Sequence, residues 1–412
     1  MSAPASPDGS GSGSVEAPRD PCWGVWVDGF GTGVRTPDEV ADLVEFAHTA
    51  GLDTLVVQVT RRGDALANEL PLPRADADLA PPPFDPLAAV CEAARPAGIA
   101  VHAWLAVTPV AQRAAPPSWA VPMLCRRLDG TDSDRHGIAH LDPGHPETGT
   151  TIAEIARATV ANYPVDGVSL DRVRYPEVAH DDPSQHGTAL WGANLVALER
   201  FRDEAGRDLE GPHDPLWQDW RRRQVGAIVD TVAEAVRGAR SDATVSVNGC
   251  CHGGLGGGWV ASRPYTELGQ DWVGWLTEGR VDRVLAMNYR GDADDAGLVR
   301  FGDLPDDVAA TTEGAAAVLA PRAALDQRWT DWAALAIRAG SSRTVLGTGC
   351  YLQSVAASAR EAIRSLDLRV DGAGAGGWCG FSYRTPSRVA LHDPEVAPRE
   401  RARLAAALNH PR

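Results

Sequence analysis

The sequence predicts an α/β protein whose fold is a (β/α)8 TIM barrel with long loops on its C-terminal face. Three observations carry that expectation. Short apolar runs alternate eight times with longer amphipathic stretches. The runs are almost continuously apolar, as strands are when both faces of a parallel sheet are covered. The segments after the runs are long and those before them short, which is the asymmetry of a barrel whose recognition surface sits on one face.

The strands are expected at 22–28, 54–59, 99–107, 167–171, 244–248, 281–288, 344–349 and 377–382. Helical patterns lie between them at 37–50, 86–97, 147–162, 215–240, 323–339 and 355–366. Thr36-Pro37-Asp38-Glu39 is an N-cap, a proline in the first turn and two acids that complement the helix dipole. Asp85-Pro86 and Asp214-Pro215 start helices in the same way, while Gly51 and Gly98 end them. Long loops are read at about 108–144, 174–213, 249–265 and 289–322. A doubly wound open sheet is the alternative, but no GxGxxG opens a helix after the first strand.

By composition, residues 1–21 form a Ser/Gly/Pro-rich leader expected to be disordered, 22–390 the barrel, and 391–412 a C-terminal helix and tail. The leader has neither a basic start nor an apolar core, so it does not read as a signal peptide, and the cytoplasm is the expected compartment. A net charge of −16 disfavours nucleic acid and anionic membranes as partners, and no apolar run approaches membrane-spanning length. All 39 basic residues are arginine. This excludes Schiff-base aldolases, pyridoxal-phosphate enzymes and P-loop NTPases, which need a lysine amine. Seven cysteines without CxxC spacing argue against a disulfide framework or a structural zinc site. No cofactor is expected, and the oligomeric state is left open.

The stretch VDGVSLDRVRYP at 165–176 is the most informative. A short buried strand ends in Asp171, with Arg174, Tyr175 and Pro176 turning the chain away. The residue at the carboxyl end of a barrel strand faces the mouth, so Asp171 is the first catalytic candidate. The bland alternative is a cap for the next turn, paired with Arg174. Other strand ends contribute Asp28; Gln58, with Arg61, Arg62 and Asp64; His102 and Trp104; Asn248; Asn288 and Tyr289; Tyr351 and Gln353; and Trp378, Ser382, Tyr383 and Arg384. Aromatic rings interleaved with carboxylates, amides and arginines suit a polyhydroxylated substrate, as do 13 tryptophans against six phenylalanines. About half of those tryptophans are expected to pack beneath helices instead. His102, His136, His140, His145 and His252 lack metal-ligand spacing, so no metal site is assigned. There is no GxSxG elbow. Carboxylate acid/base chemistry is the class that remains.

The segments GVWVDGF (24–30), VVQVTRRGDAL (56–66), FDPLAAVCEAARPAGIAVHAWL (84–105), HLDPGHPE (140–147), VDGVSLDRVRYP (165–176), VDRVLAMNYR (281–290) and GFSY (380–383) resemble the glycosyl-hydrolase-like family 10. That family comprises TIM-barrel proteins grouped with bacterial glycosidases. The resemblance implies hydrolysis of glycosidic bonds, in some relatives those of peptidoglycan strands stripped of peptide. It also implies a site lined by Asp28, Gln58, Arg62, Asp64, His102, Trp104, Asp142, Asp171, Arg174 and Tyr175. Thr60 stands where relatives commonly have Arg, Arg172 where an aromatic or acid is usual, and LAMNY replaces a PQ-containing pattern at strand six.

The resulting expectation is a glycoside hydrolase acting on an oligo- or polysaccharide. Asp171 is the nucleophile or charge stabiliser, with Arg174 keeping it ionised. Asp28 is the first choice as general acid and Asp142 the second, although Asp142 also reads as a helix cap and Asp64 as a partner for Arg62. Gln58, Arg62, Asp64, His102, Trp104, Arg174, Tyr175, Asn248, Asn288, Tyr289 and Tyr383 are expected to contact carbohydrate. The alternatives are a glycan-binding barrel lacking the second carboxylate, favoured by the absence of a Glu at any strand end, and a metal-dependent hydrolase.

Overall fold

A computed structural model describes residues 21–75, 79–177, 191–291, 298–300 and 319–409. The expected leader lies almost wholly outside the described residues, as do much of the 174–213 and 289–322 loops.

Eight parallel strands close into a barrel. They are β1 (Cys22–Val27), β2 (Thr54–Thr60), β3 (Ala100–Ala106), β4 (Gly167–Asp171), β5 (Thr244–Cys250), β6 (Arg283–Met287), β7 (Thr344–Gly349) and β8 (Gly377–Phe381). Each pairs with its sequence neighbour, and β1 pairs with both β2 and β8, leaving no edge. Among the described residues, the helices of six or more residues are α1 (Pro37–Thr49), α2 (Pro86–Ala94), α3 (Pro146–Asn162), α4 (Leu195–Ala205), α5 (Pro215–Ala239), α6 (Trp272–Thr277), α7 (Arg322–Gly340), α8 (Val355–Asp367) and α9 (Ala397–Leu408).

Strand alternation divides the apolar residues into two cores. One face of each strand points outward to the helices, as Trp23, Val25 and Val27 do on β1. The other fills the barrel, where Cys22, Trp26, Val56, Trp104, Leu285, Val345 and Cys379 form the inner cluster. At Gly167 an added Cβ would lie 2.3 Å from the Thr244 carbonyl oxygen and 3.0 Å from His102 Nδ1, so β4 can begin there only without a side chain.

The caps act as their sequences predict. Thr36 Oγ1 accepts the Glu39 N–H, and Asp85 and Asp214 accept the Ala88 and Leu216 N–H groups. The loop after β3 is more ordered than a plain connection, because Pro109–Gln112 and Ile138–His140 pair as an antiparallel hairpin over that side of the mouth. Helix α4 was not expected. It begins at Asn194, whose side chain accepts the Val196 N–H, and it buries Phe201 against Trp217 and Trp220. All seven cysteines are free and buried. No helix among the described residues is long and apolar enough to cross a membrane.

Candidate active site

Asp171 closes β4 beside Ala106 of β3. It is 8% exposed, and both carboxylate oxygens are oriented. Trp104 Nε1 donates to Oδ2 at 3.1 Å and the Arg172 backbone N–H to Oδ1 at 2.8 Å. Trp104 lies two residues from its strand's end and on the inner face, so the barrel itself aims Asp171. The Arg172 N–H reaches back because Arg172 adopts φ +50°, an uncommon conformation for a residue with a Cβ.

Arg174 does not pair directly with Asp171. Its Nη2 donates to Glu177 Oε1 at 2.9 Å and its Nη1 to the Tyr175 carbonyl at 3.4 Å. Glu177 is the second acid of the mouth, and the survey of strand ends passed over it because it sits six residues beyond the strand. Its signal was the glutamate immediately after RYP. Burial pushes its carboxyl up, but His252, then Arg174, Arg172 and Arg135, outweigh that and hold it well below the usual range. His252 Nδ1 is 3.8 Å from Glu177 Oε1; burial lowers its own pKa while Glu177 opposes the shift. The Cys250 thiol, at the end of β5, is pushed up to about 11 by burial, against the pull of Arg174, and feels both Glu177 and Asp171. The two acids both follow β4: Asp171 is its last residue, and Glu177, six residues on, is held by Arg174 at the cleft that Arg172 also lines.

An aromatic platform completes this region. Phe381 stacks with Tyr289 at 5.8 Å, meets Tyr351 edge-on at 5.8 Å, and lies 6.1 Å from Trp104. Burial raises the Tyr289 hydroxyl pKa, with Asp171 among the charges acting on it. Burial likewise brings Tyr351 to about 12, and Glu177 adds to that shift.

Several other predicted residues sit elsewhere. Asp142 is fully buried, and its oxygens accept the N–H groups of Gly144 and Asn194 at 2.8 and 3.3 Å. Burial raises it to about 6; it ties the starts of α3 and α4 together and does not line the mouth. Asp28 is held by Arg384 Nε and Ser382 Oγ, each at 2.8 Å, and is 2% exposed. These contacts make it the clasp between β1 and the segment after β8. Asp64 pairs with the Arg61 guanidinium and also accepts the Arg62 backbone N–H at 3.4 Å. Arg62 lies over the Phe30 ring at 4.4 Å and faces the cleft. Gln58 accepts the Gly29 N–H at 2.9 Å and so shapes the loop after β1.

His102 sits low in the barrel, opposite Gly167 at the first residue of β4. Burial, then Arg283, lowers it to about 4, so it is a neutral part of the barrel floor. Tyr175 is wholly buried beneath the Arg221 guanidinium, 4.0 Å from the ring centroid. Asn248 accepts from Ser169 inside the barrel, and Asn288 donates to the Trp329 carbonyl on α7. Tyr383 packs on Phe46 outside the barrel with Arg401 over its ring. A residue at a strand end faces the mouth only if its side chain takes the inner side of the pleat; Tyr175, Asn288 and Tyr383 turn away from it, while Asn248 is inside the barrel and occupied by Ser169. Eight tryptophans, Trp26, Trp217, Trp220, Trp272, Trp275, Trp329, Trp332 and Trp378, are fully buried core. No group of three or more metal-ligating side chains is gathered among the described residues.

A closed eight-stranded parallel barrel, with acids and aromatic rings at the carboxyl ends of its strands, defines a TIM barrel of the kind found among glycoside hydrolases. More particularly, the chain belongs to the glycosyl hydrolase-like 10 family, whose model matches residues 24–299. It is similar to the glycosyl hydrolase DigH of Escherichia coli K12, with 24% identity over 273 residues. That match covers 60% of this chain and 57% of DigH, so the shared region spans little more than half of the relative. Among solved structures it resembles the glycoside hydrolase domain of PgaB (BpsB) from Bordetella bronchiseptica (TM-score 0.56, 17% identity, 88% of this chain and 92% of that one). It also resembles the catalytic domain of β-amylase from Paenibacillus polymyxa (TM-score 0.56, 10% identity, 94% and 99%). At these identities the structural likeness concerns the fold.

Proposed function

We propose that the chain hydrolyses O-glycosidic bonds of an oligo- or polysaccharide, with Asp171 and Glu177 as the working carboxylates. The observation that carries this reading is the pair of oriented acids on the segment that ends β4, Asp171 held by Trp104 and the Arg172 N–H and Glu177 held by Arg174, with Trp104 packed on the Phe381–Tyr289–Tyr351 platform. Glycosidases need two carboxyl groups about the scissile bond, and aromatic faces suit the C–H surfaces of sugars. Membership of a glycosyl hydrolase-like family supports the same class. The expectation of a barrel without a second carboxylate rested on strand ends alone, and Glu177 weakens it.

Asp171, oriented by two N–H donors, takes the part of nucleophile or charge stabiliser for an oxocarbenium-like transition state. Glu177 takes the acid/base part. In the free chain it is ionised, the state that removes a proton from water; delivering a proton to the leaving oxygen requires that it first gain one.

The test is to incubate the purified chain with a glycan panel that includes peptidoglycan-type strands and aryl glycosides, following new reducing ends. Turnover of a member, with the product anomer read by NMR, supports the reading. Calorimetric binding of a glycan that is never cleaved would replace it with the glycan-binding barrel.

A further inference from the structure

The −16 charge of the chain makes the lining of one cleft at the mouth unexpected. This space of ≈ 190 Å³ lies between the hairpin after β3 and the loops after β2, β4 and β5. Four guanidiniums face it, those of Arg62, Arg135, Arg172 and Arg174, against two carboxylates, Asp134 and Glu177. Both carboxylates are already matched. Asp134 accepts from His140 Nε2 at 3.0 Å and from the His136 and Ile138 N–H groups, and Glu177 accepts from Arg174.

Arg172 is different. Its side chain has no hydrogen-bond or ion-pair partner among the described residues, yet it holds a left-handed backbone at φ +50°. Glycine or asparagine would occupy that conformation at lower cost and would still present the N–H that Asp171 accepts. Strain kept at a residue whose side chain is unpaired, one step from the proposed nucleophile, points to work for the side chain.

We propose that Arg172 and the cleft around it form an anionic subsite, so that the substrate is an acidic saccharide bearing a carboxylate or a sulfate ester on the sugar next to the scissile bond. This rests on the glycosidase reading for the bond cleaved but not for the binding of the charge. Guanidinium is the side chain suited to bidentate pairing with such a group, and among the described residues the Arg172 guanidinium makes no hydrogen bond that a ligand would have to displace, since Glu177, whose charge it feels, is bonded to Arg174.

The test is calorimetry of the full chain with matched oligosaccharide sets of the same linkage: uronic-acid-containing, its carboxyl-reduced neutral counterpart, and a sulfated counterpart. Affinity is read directly, whether or not any is cleaved. An anionic form is expected to bind at least about tenfold more tightly than the neutral one. That ratio should shrink as salt rises and fall to about one in Arg172→Gly, with Arg172→Asn as a second variant and melting curves reporting that both are folded. Whichever of carboxylate and sulfate binds better identifies the group. Equal affinity for charged and neutral forms, binding of neither, or a preference untouched in both folded variants would overturn the subsite. A charge preference without any cleavage would uphold the subsite and remove the hydrolase reading; cleavage without a preference would do the reverse.

Discussion

Glu177 and Asp171 differ in what holds them, and that difference sets separate expectations for their variants. Asp171 accepts two N–H groups from the barrel wall, whereas Glu177 faces arginines and a histidine. If Glu177 is the acid/base, Glu177→Gln should slow glycosides with poor leaving groups by about 10²–10⁴-fold, while activated aryl glycosides, which need no proton, lose far less. Because Glu177 is held ionised, the proton-donating form is scarce at neutral pH. Turnover by the wild type should therefore rise as the pH is lowered from 7 toward 5, a trend read from a pH–rate profile. Asp142 provides the contrast. Since it accepts from Gly144 and Asn194 away from the mouth, Asp142→Asn should leave turnover within about threefold of wild type, while Asp142→Ala strands two buried N–H groups and should cost about 1–3 kcal/mol in denaturant unfolding. At this scale the sequence was partly legible. Asp171 and Trp104 could be read because a strand end and an inner-face position are periodic properties. Asp142 could be read from its local sequence as a cap as well as an acid, whereas the groups that occupy Asp28, Ser382 and Arg384, lie at the other end of the chain and only the fold brings them to it.

At the scale of elements, the strands and the capped helices were readable because local chemistry decides them. Asp85 illustrates how far that local reading goes. It caps α2 as predicted, but its Oδ2 also accepts from the Asn68 N–H and from the Tyr163 hydroxyl at the end of α3. Asp85→Ala should accordingly cost more than the ~1 kcal/mol of a simple cap, about 2 kcal/mol or more by chemical denaturation. The hairpin Pro109–Gln112 with Ile138–His140 and the helix α4 were not legible. The hairpin strands are short and separated by a long excursion, and α4 is stabilised by packing Phe201 on the tryptophans of α5. That excursion carries Asp134, His136 and His140 to the cleft, which is why half of its lining was invisible from strand ends.

Over the whole molecule, closure of the barrel and burial of His102 at its floor couple stability to pH. His102 has its pKa lowered to about 4, so between that value and the ~6.5 of an exposed histidine the unfolded chain binds a proton that the folded chain does not. Its contribution to stability is therefore present above about pH 6.5 and lost as the pH falls toward 4, a loss on the order of 3 kcal/mol at most. Asp142 acts in the opposite sense. Raised to about 6, it is protonated in the fold where the unfolded chain is ionised, so its effect is to lower stability as pH rises from about 4 to 6. Unfolding of His102→Gln across this range should show a shallower acid limb than wild type. The architecture itself was legible from eight alternations and their loop asymmetry. The charge of the mouth was not, because net charge reports the solvated exterior while the arginines facing the cleft converge from three separate strand-end loops.

The central claim is that Asp171 is the carboxylate on which the chemistry turns. The most direct measurement is the turnover of purified, folded Asp171→Asn on the substrate identified from the glycan panel. The account predicts a fall in kcat of at least about 10³-fold with the melting temperature little changed. Hydrolysis by that variant at the wild-type rate would contradict it.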